Sequence, residues 1–213
     1  MQDSVFASGE GDAWFDRNKE RLGVAPDPVL AMMTKHVLRP RRVLEVGCAN
    51  GWRLATTQEA FGADCYGIDV SQDAIADGHN RYHELIDLQH GFADNLPYPD
   101  SWFDLTICHF VLHWVDRSTL LAVLAEMDRV TKMGGHIVIG DFLPYRPTKT
   151  PYHHTTGLWT YGLDYARVLI DISMYRRVDR TVFAHGGGKI TPYNRSAVTL
   201  LQKEDGYALA GLK

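Results

Sequence analysis

Two glycines, an acid and a set of histidines are the residues in this chain whose types and spacing can do chemistry. Gly47 and Gly51 bracket the small turn "GCANG", and Asp69 ends the next apolar segment, "DCYGIDV". A turn that small lets backbone come close to a ligand, and its glycines can take positive φ. A carboxylate at the end of a neighbouring strand can accept both hydrogen bonds of a ribose diol. A dinucleotide would require G-x-G-x-x-G to admit its pyrophosphate, and the turn lacks the second and third glycines. A cofactor with a ribose and no phosphate fits better. His109 and His113 stand where "FDLTICHFVLHW" leaves its apolar run, and His153 and His154 are adjacent in a later loop. Histidine is the natural base near neutral pH, so these four are candidates for removing a proton from a substrate. His153 and His154 with Asp141 also form a possible metal set, although no close ligand spacing supports it.

The elements that must hold these residues alternate. "RVLEVG" reads as a buried strand, "GWRLATTQEAFG" as a helix and "DCYGIDV" as a second strand. "SQDAIADGHNRYHEL" is helical with Ser71 as N-cap, and "IDLQHGFA" is a third strand. "SWFDLTICHFVL" is a fourth, "RSTLLAVLAEMDRVTK" a helix and "GGHIVIGDF" a fifth strand. Strands alternating with helices predict an α/β fold with a parallel sheet covered on both faces. Residues 1–40 read as helical pieces, with Asp12 a candidate N-cap and prolines opening a helix at "PDPVLAMM". After Pro144 comes a loop rich in proline, threonine and aromatics. A partly helical "YGLDYARVLIDI" follows, then two late strands, "MYRRVDRTVFAH" and "SAVTLLQK", expected to pair antiparallel at one sheet edge. The chain is expected to be one domain. Residues 1–40 would form a helical cap, 41–143 a cofactor-binding core, and 144–213 the substrate loop and final strands.

These segments resemble the class I S-adenosylmethionine-dependent methyltransferases of the small-molecule type, akin to methyltransferase types 11 and 25. "LEVGCANG" is similar to the family's first motif, with Ala49 in place of its middle glycine. "YGIDVS" is similar to the second, "GFADNLPYPDSWFD" to the third, and "FDLTICHFVLHWVDR" and "MDRVTKMGGHIVIGDF" to the segments beyond. The resemblance implies a Rossmann-like, doubly wound, seven-stranded, mostly parallel sheet. It implies S-adenosyl-L-methionine as cofactor and S-adenosyl-L-homocysteine as product. It assigns Glu45, Gly47, Cys48, Gly51, Asp69, Val70, Ala93, Asp94 and Asn95 to the cofactor, with Asp69 on the ribose and Asp94 on the adenine amino group. His109, Phe110 and Trp14 are expected beside the adenosyl and sulfonium groups. Buried aromatics attract a sulfonium, and Phe15, Trp52 and Trp114 are further candidates. Arg17 or Asn18 would approach the methionine carboxylate.

The acceptor is expected to be a small polar molecule, such as a sugar, sugar nucleotide or surface-glycan precursor methylated on O or N. The loop's tyrosines and cations suggest this, with Tyr152, Tyr161 and Tyr165 as contacts and His113, His153 or His154 as base. The alternatives are a partner subunit that binds cofactor without catalysis, and a nicotinamide-dependent oxidoreductase. Lys+Arg 22 against Asp+Glu 26 gives a mildly acidic chain of 213 residues with no basic run, which argues against nucleic acid. No apolar run is long enough to span a membrane. The N-terminal stretch lacks the pattern of a signal peptide, and three cysteines without CxxC spacing suit reduced thiols. A cytoplasmic protein is expected, with a sheet edge at which two copies could pair as a homodimer.

Overall fold

The structure, a computed structural model, describes residues 2–204. Its centre is a seven-stranded sheet in the order β3-β2-β1-β4-β5-β9-β8. The strands are β1 (Arg42–Val46), β2 (Asp64–Asp69), β3 (Asp87–His90), β4 (Phe103–His109), β5 (Thr131–Phe142), β8 (Tyr175–Ala184) and β9 (Arg195–Lys203). The first five pair in parallel, while β9 runs antiparallel to both β5 and β8. The expected edge pair is therefore present.

Both faces of the sheet are buried, which explains the near-continuous apolar strands. On one face Leu44, Val46, Cys108, Ile137 and Leu201 pack with Val123, Leu124 and Met127 of α6 (Leu120–Val130) and Leu169 of α7 (Tyr165–Asp171). On the other, Val43, Leu105, Ile107, Val138, Val198 and Leu200 meet α3 (Pro28–Lys35) and α4 (Trp52–Phe61). Helix α5 (Gln72–Tyr82) closes this layer through Ile75. The local signals are specific. Asp27 caps α3 by accepting from Val29 and Leu30 N–H at 2.9 and 2.8 Å, with Pro28 in the first turn. Ser71 caps α5 through Ala74 N–H. Gly78 is needed inside α5 because a Cβ there would stand 2.5 Å from the Asn50 carbonyl oxygen.

Two expectations change. Asp12 does not cap its own helix, α2 (Gly11–Asn18), which follows directly on a π-turn at Phe6–Glu10. Its carboxylate accepts instead from the Ser71 hydroxyl at 2.7 Å and from Asp73 N–H, tying α2 to the start of α5. The proline-rich stretch after Pro144 is not irregular throughout. It forms a two-stranded ribbon of β6 (Thr148–Pro151) and β7 (Trp159–Gly162). No alternating apolar pattern announces it, since all four β6 residues are exposed.

The N-terminal segment, with α1 (Gln2–Val5) at its start, lies against that ribbon. Gln2 donates to the carbonyls of Trp114 and Trp159 and accepts from Trp159 N–H. Asp3 accepts from Asp116 N–H and the Thr119 hydroxyl. Among the described residues no helix is long and apolar enough to cross a membrane. The three cysteines are free and buried.

Candidate active site

Strand order reverses between β1 and β4, and open α/β sheets bind ligands beyond the strand ends at such a switch point. A cavity of about 680 Å³ lies there. Its floor is the turn after β1. Gly47 and Cys48 N–H both donate to the Ile68 carbonyl, at 2.8 and 3.1 Å, and Gly51 N–H donates to Cys48. Gly47, Ala49 and Gly51 take φ of 73°, 50° and 75°. Ala49 thus occupies a left-handed conformation that glycine would adopt without strain. At Gly47 a Cβ would fall 2.2 Å from Val111.

Asp69 holds this turn in place. Its Oδ2 accepts from Ala49 N–H at 2.7 Å and its Oδ1 from Ser71 N–H at 2.8 Å. Each carboxylate oxygen keeps a further lone pair for a ligand hydroxyl, and Asp69 lines the cavity. Burial pushes its pKa up, against backbone hydrogen bonds that lower it.

Beneath the turn is a buried charge cluster. Arg53 of α4 pairs with Glu45 and with Asp27, the latter at 3.0 Å, and its Nη2 lies 2.9 Å from His109 Nδ1. Two carboxyl groups, Glu45 and Asp27, face this one guanidinium. Glu45 is fully buried, which raises its pKa to about 7, even though Arg53 lowers it. Its Oε2 has no hydrogen-bond partner.

The other half of the cavity is aromatic. Phe6, Trp14, Trp114 and Tyr152 form a box, with ring centroids 5.4 Å apart for Phe6–Trp114 and 5.8 Å for both Trp14–Trp114 and Trp114–Tyr152. Glu10 latches this side. It accepts from the Tyr152 hydroxyl at 2.9 Å and the Thr155 hydroxyl at 2.6 Å, and pairs with Arg17. Between the halves lies Phe110, at a φ of 56°. Around its ring stand His109, His113, Phe142 and His185, at 4.7, 6.0, 5.2 and 4.7 Å. His113 is buried with its Nδ1 2.9 Å from Asp141 Oδ1, a contact that is close but poorly aligned as a hydrogen bond.

The cavity brings together Trp14, Asn18, Glu45, Gly47, Cys48, Asp69, Val70, Ala93, Asp94, His109, Phe110, His113, Tyr152, His153 and His154. Gly51, Asn95, Tyr161 and Tyr165 lie outside its lining. Gly51 serves packing, since a Cβ there would meet Ile86 at 2.6 Å. Tyr165 is in the core and donates to the Tyr161 carbonyl. Arg17 is committed to Glu10 and Tyr152, and Phe15 packs with Ala49 and Ala74. His153 and His154 are exposed at the mouth. Residues absent from the sequence reading are Phe6, Asp27, Arg53, Phe92, Phe142 and His185. Only Arg53 carried a signal, as a cation one turn beyond the glycine turn and near a buried acid.

Residues 44–139 match the family described as "Methyltransferase domain". These residues form a class I S-adenosylmethionine-dependent methyltransferase domain. The domain is similar to the demethylmenaquinone methyltransferase of Geobacillus sp. (strain WCH70), at 34% identity over 50% of this chain and 47% of that protein. The enzyme of the same name from Beutenbergia cavernae is 31% identical over 65% of this chain and 58% of its own length. The chain spans about half the length of the curated relatives it matches. In fold it is similar to the 1,6-didemethyltoxoflavin-N1-methyltransferase of Burkholderia thailandensis, solved with S-adenosylhomocysteine. The TM-score is 0.76 at 18% identity, covering 95% of this chain and 89% of that one.

The methyltransferase domain's cofactor suits the residues present. The turn is bare of side chains where a Cβ would clash, Asp69 offers lone pairs, and the buried Glu45 Oε2, without a partner, lines the cavity. That chemistry fits a ribose diol and the cationic groups of S-adenosylmethionine.

Proposed function

We propose that this chain methylates an O or N atom on a flat aromatic or heteroaromatic small molecule. The observation that carries this is the aromatic box: four rings, two from the N-terminal segment, one from the turn after β4 and one from the ribbon, line the cavity together. Rings recognise rings through offset and edge-to-face contact. A sugar-type acceptor is less well supported, because Tyr161 and Tyr165 do not line the cavity. Similar proteins are named for methylating demethylmenaquinone and 1,6-didemethyltoxoflavin, which agrees with this reading.

When bound, S-adenosylmethionine supplies the methyl carbon, and its sulfur keeps the electron pair of the broken bond. The chain's residues do the rest. Asp69, Asp94 and the turn at Gly47 orient the cofactor, and the box holds the acceptor in line. His113 takes the acceptor's proton at Nε2, while the Asp141 carboxylate favours the proton at Nδ1. The N-terminal segment and the ribbon, tied through Gln2 and Glu10, wall the acceptor side.

The test is S-adenosylhomocysteine release on hydroxyquinolines, quinolones and phenols beside sugar nucleotides and amino sugars, with and without chelator. Turnover on the flat rings alone is expected. Turnover on sugars alone would restore the glycan reading. Tight cofactor binding with no turnover would point to a partner subunit. Among the described residues no group of three or more His, Cys, Asp or Glu could hold a metal ion, so the chelator is expected to have no effect.

A further inference from the structure

His109 was expected beside the cofactor, and the structure gives it a more specific character. Arg53 carries only donors, so its Nη2, 2.9 Å from His109 Nδ1, makes that nitrogen an acceptor. The neutral ring must then carry its proton on Nε2. Two features lock the orientation. Arg53 is itself fixed by Glu45 and Asp27. The ring also beds on the bare Cα of Gly140, where a Cβ would stand 2.1 Å from His109 Cδ2. His109 Nε2 is buried and has no hydrogen-bond partner, and an unmet buried donor is costly. Phe110 meets the ring edge-to-face at 4.7 Å, and both residues line the cavity that would hold an acceptor ring. His113 is the opposite case: its Nδ1 lies 2.9 Å from the Asp141 carboxylate, and a proton carried there would leave Nε2 as a lone pair. The two histidines share Phe110 as a neighbour.

We propose that His109 is a specificity-determining donor, held by Arg53 as positioning residue, which recognises a carbonyl oxygen adjacent to the methyl-accepting O–H or N–H. The acceptor class is then a lactam, imide or enolone, one atom of which gives its proton to His113 while its neighbouring oxygen accepts from His109. The proton moves from the acceptor to His113 Nε2, the acceptor atom bonds the methyl carbon, the sulfur keeps its electron pair, and His113 returns the proton to solvent. His109 stabilises the charge that spreads onto the carbonyl oxygen, as a preorganised donor does. This rests on the methyltransferase reading above.

The test uses the full chain with saturating S-adenosylhomocysteine and two neutral probes, 3,4-dihydroquinolin-2(1H)-one and 1,2,3,4-tetrahydroquinoline, which differ in the carbonyl. By calorimetry the wild type is expected to bind the lactam at least ~10-fold more tightly, because a site built to hydrogen-bond a group rejects the analogue lacking it. His109→Leu should bring the two probes within ~3-fold, and His109→Gln, which keeps an N–H near Nε2, should restore the preference. Independently of any variant, nitrogen-15 spectra of the wild type should show His109 as the Nε2–H form, and Arg53→Lys should mix the two tautomers. An Nδ1–H form in the wild type, equal binding of the probes, binding of neither probe, or an unchanged preference in His109→Leu would overturn the proposal. Failure to bind S-adenosylhomocysteine at all would instead overturn the reading beneath it.

Discussion

The two halves of the cavity are built differently. The half we propose for the cofactor is drawn from Glu45 to Asp94, on the ends of three neighbouring parallel strands and the turns that leave them. Its key contacts join adjacent strands, as where Asp69 meets Ala49. The half we propose for the acceptor is assembled from Phe6, Trp14, Phe110, Trp114, Phe142, Tyr152 and His185, most of them outside the sheet. It is held by long-range polar ties such as Gln2 to Trp159 and Glu10 to Thr155. A half built on strand ends is rigid and suits a fixed cofactor. A half built from a clasped segment and a ribbon can vary with the acceptor, as loops on a scaffold do.

The largest effect that could break this division is at Asp69. Asp69→Ala removes the proposed ribose acceptor and two backbone bonds of the turn, and S-adenosylhomocysteine affinity by calorimetry is expected to fall by at least ~100-fold. Unchanged affinity would remove Asp69 from the site. Next comes the acceptor half. His113→Gln is expected to lower kcat by ~10²-fold or more, with S-adenosylhomocysteine affinity within about twofold, since no cofactor contact is assigned to His113. A matching loss of cofactor affinity would merge the two halves.

The latch gives a smaller change. Burial raises the Glu10 pKa, but hydrogen bonds from Thr155, Arg17 and Tyr152 outweigh it and hold the carboxyl below its usual range. A depressed carboxylate contributes stability above its unfolded pKa and loses it as pH falls through the folded one. Hydrogen exchange of residues 2–18 and 148–162 should therefore quicken together in acid. Glu10→Gln should raise the acceptor KM by ~3- to 10-fold with little change in kcat. Exchange that quickens in one segment alone would separate the latch's two sides.

Glu45 shows the opposite sign, with the smallest effect. Its pKa is raised from 4.5 to about 7, chiefly by burial. The folded protein then holds a proton that the unfolded chain has lost, so stability falls as pH rises from about 4.5 to about 7. Glu45→Gln should flatten the Tm profile across that window. An equally sloped profile would assign the dependence to other groups.

The glycine turn and its contact with Asp69 were legible in the sequence because their signals are local. A glycine turn between an apolar strand and a helix, with an acid at the next strand end, needs no knowledge of distant chain. The sheet followed from the same alternation. The ribbon was missed because β6 is exposed and carries no alternating pattern. Trp14, Trp114 and Tyr152 were singled out by type, but Phe6, His185 and the grouping of the rings were missed because what unites them is contact across the fold. Asp12 looked like a cap by type, and only the packing of α2 on α5 showed that it serves Ser71 and Asp73. Tyr161 and Tyr165 were plausible contacts by composition, but Tyr165 is 2% exposed and belongs to the core.

The division of the cavity is tested most directly by a crystal structure of the chain with S-adenosylhomocysteine. The account predicts the ribose hydroxyls on Asp69, the adenine near Asp94, and the box of Phe6, Trp14, Trp114 and Tyr152 left for the acceptor. Adenine stacked inside that box, with Asp69 bearing no ligand contact, would contradict it.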